Sequence, residues 1–240
     1  MTTSARPDGR RSDELRPIDV RLDFLEQPHG AALWRQGKTI VLCTASIEEG
    51  VPRWLRNSGR GWMTAEYSLL PASTGERVER EARRGRQQGR TIEIQRLIGR
   101  ALRGLLDFEA LGERTVYLDC DVLQADGGTR CAAICGAYVA AHRALDRFGL
   151  SRALPGTVAA VSVGIVAGEP LLDLEYVEDS AAEVDMNVVM TGTGELVEVQ
   201  ATAERQPFGR DVLDELLDLS AVGIERLGEA QHSALAAVGA

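Results

Sequence analysis

The chain has 240 residues, of which 44% are hydrophobic and 26% charged, a balance that excludes a disordered chain and allows one large domain or two small ones. No apolar run approaches the roughly 18 residues that span a bilayer, and the polar N-terminus MTTSARPDGRRSDELRP lacks the apolar core of a signal peptide. A cytoplasmic protein with no membrane partner is expected.

The net charge of −9 would disfavour a polyanionic partner if it were uniform, but it is segregated. Residues 151–240 carry 16 acids against 4 arginines, whereas residues 76–104 carry nine arginines against four glutamates. Cys43, Cys120, Cys131 and Cys135 form no CxxC pair, so they signal neither zinc nor a disulfide framework and read as small buried hydrophobes.

In chain order, PIDVRLDFL (17–25) alternates as a strand, and KTIVLCTAS (38–46) reads as a more buried one, with Gly30 and Gly37 marking turns before it. Pro52, Gly59 and Gly61 place a loop at 50–61. Residues 72–89 have no apolar face and read as a mobile Arg-rich loop. In the segment that follows, Ile94, Leu97, Ile98, Ala101 and Leu105 make one helical stripe, and Arg96, Arg100 and Arg103 another. A strand at 115–123, a helix at about 130–146 and a buried strand at 157–166 come next. Strands at 171–177, 184–190 and 195–204 and an amphipathic helix from about 209 to 230 complete the chain. Strands and helices interleave without strict βαβ alternation, which predicts an α/β (α+β) fold with a mixed sheet in a single domain, preceded by a disordered tail at 1–6.

The strand TVYLDCDVLQ delivers ADGGTR to the start of a helix. A helix N-terminus offers unpaired N–H groups and a positive dipole end, and glycines let the backbone close on an anion. Thr129 adds a hydroxyl and Arg130 a fork suited to phosphate. Alone, the motif is equally a turn with an N-cap. Arg90 follows Gly89 at another helix start, so two arginines can converge on one phosphate.

Asp185 falls on a strand, on the face of Asn187 and Val189, and Asp179 lies where the preceding strand ends. An acid among apolar neighbours calls for a partner or a metal, and two carboxylates plus phosphate and water suit Mg²⁺. Glu178 and Glu183 read as a solvated turn. His29, His142 and His232 are scattered, and no Ser or Cys has a base nearby. Without a protein nucleophile, the bound phosphate itself becomes the attacking group, which is phosphorolysis.

The stretches VLCTASIEEGVPRWL (41–55), GWMTAEYSLLP (61–71), GRTIEIQRLIGRALR (89–103), LDCDVLQADGGTR (118–130) and LEYVEDSAAEVDMNVVMT (174–191) resemble bacterial ribonuclease PH, over about residues 7–235. Polynucleotide phosphorylase and exosome ring subunits are more distant relatives. The resemblance implies a ribosomal protein S5 domain 2-like fold and a homohexamer built as a trimer of dimers. It implies a phosphate-dependent 3′→5′ exoribonuclease that trims tRNA precursors and other structured RNA and releases nucleoside diphosphates, with no DNA partner. Arg90, Gly128, Thr129 and Arg130 match the family's phosphate site, and Asp179 and Asp185 its catalytic carboxylates, which hold Mg²⁺ (or Mn²⁺). Arg77, Arg80, Arg83, Arg84 and Arg86 are expected to grip RNA. Family members usually have Thr where Cys131 and Cys135 stand, many have Gly at Ala201, and many have Arg at Ala72; the two cysteine changes imply repacking only, the Ala201 change is small and touches no named site residue, and the Ala72 change weakens the case for its neighbours as RNA contacts. Two rival readings are a metal-dependent hydrolytic exoribonuclease and a non-catalytic RNA-binding ring subunit.

Overall fold

The computed structural model describes residues 6–237, with the side chains of residues 82 and 84 left out. The chain runs β1 (Ile18–Leu22), β2 (Gly30–Gln36), β3 (Thr39–Glu49), β4 (Trp62–Leu69), α1 (Gly89–Arg103), α2 (Phe108–Leu111), β5 (Arg114–Gln124) and α3 (Thr129–Arg147). It continues through β6 (Val158–Val166), β7 (Glu169–Leu172), α4 (Tyr176–Asp179), β8 (Val184–Thr191), β9 (Leu196–Ala203) and α5 (Arg210–Ala236).

Two sheets form. The first has strand order β1-β2-β3-β5-β4, antiparallel except for the parallel β4–β5 pair; the second, β7-β6-β8-β9, is wholly antiparallel. The mixed sheet expected from the interleaved pattern is therefore present.

α3 lies between the two sheets and explains its own composition. Its sequence, TRCAAICGAYVAAHRALDR, is rich in Ala, Cys and Gly, and 13 of its 19 residues are buried. Small side chains let strands approach from both sides: a Cβ at Gly136 would stand 2.7 Å from Cys43 Sγ and 3.0 Å from Trp34 Cβ. Gly30 opens β2 instead of marking a turn, and it has no room for a side chain because the Ala140 carbonyl of α3 occupies that space. One hydrophobic cluster runs from Trp34, Val41 and Val122 through Ile134 and Tyr138 to Val161, Met186 and Leu227, so both sheets share a core. All four cysteines are free and buried within it.

β2 and β4 add two strands to those anticipated; in β4 the buried residues Met63, Ala65 and Tyr67 alternate with Trp62, Thr64, Glu66 and Ser68. The strand expected at 171–177 stops at Leu172 because Asp173 adopts a left-handed backbone with φ 54°, which no strand continues through. The chain then turns into α4, so Asp179 ends a helical turn and not a strand.

Residues 1–5 of the expected disordered tail lie outside the described residues. Arg6, its last residue, is buried instead, because its guanidinium is held by Glu178 at 2.7 Å from two nitrogens. Glu178 is correspondingly buried and not part of a solvated turn.

Candidate active site

The loop between β5 and α3 is shaped by two glycines. Gly127 and Gly128 both have left-handed backbones, with φ 73° and 62°. A Cβ at Gly127 would sit 2.5 Å from the Leu174 carbonyl oxygen and 2.9 Å from Tyr176 N, so glycine lets this loop lie flat on the segment entering α4. Gly128 is the N-cap of α3, and Thr129 and Arg130 occupy its first turn, where the backbone N–H groups are free to meet an anion.

The loop is pinned from beneath. The Thr39 hydroxyl donates to Gly127 O at 2.8 Å and accepts from Asp126 N at 3.0 Å. Arg16 Nη1 donates to Asp126 O at 2.5 Å, while its Nη2 and Nε bond Asp173 at 2.6 and 3.1 Å. Arg16 and Asp173 are both buried. Burial alone would raise the Asp173 carboxyl, but Arg16 overcomes it and holds the group below the usual carboxylate value. From the other side, the Tyr67 hydroxyl of β4 donates to Thr129 Oγ1 at 2.9 Å.

Arg90 stands exposed in the first turn of α1. Arg130 reaches across to that helix, with Nη2 3.7 Å from Glu93 and Nη1 donating to Gln200 Oε1 at 3.3 Å. The two arginines and the two aspartates form one electrostatic group. Burial raises the Asp179 carboxyl, opposed by the charges of Arg90 and Arg130. Burial and then the neighbouring Asp179 charge push Asp185 up to about 6, again opposed by Arg130 and Arg90. Asp185 lies on β8, flanked in register by Gly164 of β6 and Thr202 of β9.

Asp185 Oδ1 is buried and has no hydrogen-bond partner, the condition in which an oxygen ligand is open to a cation. Two carboxylates, one of them raised by burial and by the charge of the other, fit a hard divalent ion such as Mg²⁺ or Mn²⁺, which relieves that repulsion. Among the described residues no group of three or more His, Cys, Asp or Glu is placed to hold a metal, so phosphate and water would have to complete the shell.

Arg77, Arg80, Arg83 and Arg86 are exposed; the side chain of Arg84 lies outside the described residues. A groove of about 550 Å³, lined by Tyr67, Leu69, Arg80, Arg86 and Arg90 among others, joins the Arg-rich segment to the anion-facing arginine. Glu81 anchors that segment to α1 by accepting from the Thr91 hydroxyl at 2.6 Å. Cys131 Sγ donates to Asn187 Oδ1 at 3.2 Å and Cys135 Sγ to Ala160 O at 3.4 Å, so each thiol fills a place that a Thr hydroxyl could take.

Candidates named from sequence thus meet in one place: Arg90, Gly128, Thr129, Arg130, Asp179 and Asp185. Arg16, Asp173, Tyr67, Glu93 and Gln200 were not anticipated. Asp173, in LLDLEY, carries the same signal that singled out Asp185, an acid set among apolar residues.

Fold and site together place two arginines in the first turns of α1 and α3 of an α/β protein, in one electrostatic group with two half-buried aspartates. The family model described as 3′ exoribonuclease family, domain 1, matches residues 14–144, and that for domain 2 matches residues 156–223. The chain belongs to this 3′ exoribonuclease family. Its fold is that of Rrp46 from rice (Oryza sativa), with 19% identity, coverage of 96% of this chain and 100% of that one, and a TM-score of 0.78. The Archaeoglobus fulgidus exosome with RNA bound to the active site matches at 24% identity, 94% and 92% coverage and a TM-score of 0.78. An archaeal exosome core matches at 24% identity, 95% and 91% coverage and a TM-score of 0.75.

Proposed function

We propose that the protein is a phosphate-dependent 3′→5′ exoribonuclease acting on tRNA precursors and other structured RNA as a homohexameric ring of three dimers. The carrying observation is that two arginines at helix starts face two aspartates, with no nucleophilic side chain among them. His29 accepts from Ile47 N and meets Phe148 edge-on, His142 lies beside Tyr138, and His232 is on α5. Burial pushes the thiols of Cys43, Cys131 and Cys135 upward, away from the thiolate form.

Arg90, Arg130, Thr129 and the Gly128 backbone seat inorganic phosphate. One of its oxygens attacks the phosphorus of the terminal diester, and the bond to the 3′ oxygen breaks. The products are a nucleoside 5′-diphosphate and RNA one nucleotide shorter, whose 3′ oxygen takes up a proton. Asp179 and Asp185 would hold Mg²⁺ or Mn²⁺, which when bound supplies positive charge against the crowded phosphates. One of the two aspartates would also assist proton transfer to the leaving 3′ oxygen. The exposed arginines 77, 80, 83 and 86 supply backbone contacts to RNA.

The test is incubation with RNA and Mg²⁺, with and without phosphate. Nucleoside diphosphates should form only with phosphate. Monophosphates released equally well without it would overturn the reading in favour of hydrolysis, and the absence of any turnover would favour a non-catalytic ring subunit.

A further inference from the structure

We infer that Arg6 is a positioning residue for the Asp179 carboxylate, acting through Glu178 as the anchor of an N-terminal strap over α4. The inference rests on the reading of Asp179 as a working carboxylate. α4 is a single turn of four residues, too short to be stable without outside support. Its support is Glu178, the residue next to Asp179.

Glu178 Oε2 accepts from Glu175 N at 3.0 Å, closing the turn as a capping box. The same carboxylate takes a two-pronged ion pair from Arg6, 2.7 Å to each oxygen, with both side chains only 3% exposed. Arg10 Nη2 adds a second positive charge 3.6 Å from Oε2.

The rest of the Arg6 guanidinium fixes the strap to the fold. Nη1 donates to Leu172 O at 2.9 Å and to Arg11 O at 3.1 Å, and Nη2 donates to Asp173 O at 3.1 Å. The strap backbone joins β7 through Leu172 N, which donates to Ser12 O at 2.8 Å, and α5 through Arg226, which donates to Asp13 O at 2.9 Å. Glu178 therefore points inward to this frame, and Asp179, one residue on, lies in the field of Arg90 and Arg130. Loss of Arg6 leaves a buried carboxylate with only Arg10 at 3.6 Å as counter-charge, and a Glu178 that turns to solvent gives up the capping bond that closes α4. That motion displaces Asp179, and a displacement of about 1 Å at a reacting centre is worth on the order of 100-fold in rate.

The experiment compares Arg6→Met, Arg6→Lys and the double variant Arg6→Met/Glu178→Met in the full chain. Three quantities are read: amide hydrogen exchange, RNA affinity, and turnover with phosphate. In Arg6→Met the amides of Asp179 and Ser180, bonded to Glu175 O and Tyr176 O, should exchange about tenfold faster while those of β8 do not change. Turnover should fall on the order of 100-fold with RNA affinity kept within about threefold, and Arg6→Lys, which retains one arm of the ion pair, should restore much of the loss. The double variant removes the stranded charge, so it should unfold at or above the temperature of Arg6→Met yet keep fast exchange and slow turnover. Should Arg6→Met not fold, the double variant alone carries the test. Unchanged exchange at Asp179 and Ser180, or turnover that recovers along with thermal stability in the double variant, would overturn the strap. A wild-type protein with no phosphate-dependent turnover would sink the functional reading alone, because exchange still judges the strap.

Discussion

The Tyr67 hydroxyl donates to Thr129 Oγ1 at 2.9 Å, so the Thr129 hydroxyl accepts from within the protein and its own proton is left to donate outward. β4 thereby fixes which way the Thr129 hydroxyl can donate at the start of α3, where phosphate is proposed to bind. Burial raises the Tyr67 hydroxyl above its usual value, which keeps it a donor at neutral pH. Tyr67→Phe should raise the phosphate concentration for half-maximal rate by about 3- to 10-fold, at a stability cost of about 1 kcal/mol. Initial rates over a phosphate series check this, and an unchanged phosphate dependence would remove the role.

Arg130 should be replaceable by lysine only at great loss. A lysine keeps the charge but not the planar fork that spans two phosphate oxygens. Arg130→Lys should lower the second-order rate constant for phosphate by about 100-fold, roughly 2.7 kcal/mol, with RNA affinity little changed. Steady-state kinetics with RNA saturating and phosphate varied reads the effect.

Asp185 couples function against stability. Its carboxyl rises from 3.8 unfolded to about 6 folded, so the folded state binds the proton more tightly. Stability from this group therefore falls as pH climbs from about 4 to about 6 and stays reduced above it. Asp185→Asn, free of that buried charge, should be more stable by about 1–2 kcal/mol at pH 7.5 after allowance for partial exposure, and should lose the advantage near pH 4. Turnover should vanish. Thermal unfolding at the two pH values in chelator-containing buffer checks the sign.

Asp173 behaves in the opposite sense. Held below its usual value by Arg16, it stabilises the fold above pH 3.8 and loses that contribution as the pH falls through its lowered folded value. Asp173→Asn leaves Arg16 buried without a counter-charge and should cost about 3–5 kcal/mol at pH 7. Urea titration measures it.

RNA binding should be strongly salt-dependent. For single strands the slope of log affinity against log salt is roughly −0.7 per neutralised phosphate. Arg80→Ala/Arg86→Ala, altering two exposed side chains that line the groove, should make the slope shallower by about 1.4. Fluorescence anisotropy at several salt concentrations reads it, and an unaltered slope would place RNA elsewhere.

Most strands, α1 and α5 were legible from periodicity, because each buries one face, whereas α3, buried between the two sheets, was legible from its run of small residues. β2 was hidden because Gly30, an ordinary turn signal, is there to admit α3, and that reason exists only in three dimensions. Arg90, Arg130 and Asp185 were legible because each stands within two residues of a glycine or among apolar residues, whereas Asp179 was singled out at a strand end that the structure replaces with α4. Arg6, Arg16 and their acids were not, since the pairs are separated by 172 and 157 positions along the chain, and a surface-like arginine becomes a core residue only when the fold brings its acid to it.

The two family models meet between residues 144 and 156, just where α3 ends, yet α3 is covered by β2, β3 and β5 on one side and by β6 on the other. Severed at that junction, the first piece would carry a helix with one bare apolar flank, and the second a sheet that keeps α5 but loses the cover of α3. The two family models therefore divide a single hydrophobic core. Neither half should be obtainable alone as a well-behaved protein, and the anion seat on α3 and the carboxylates beyond it should be gained or lost together in a single cooperative transition.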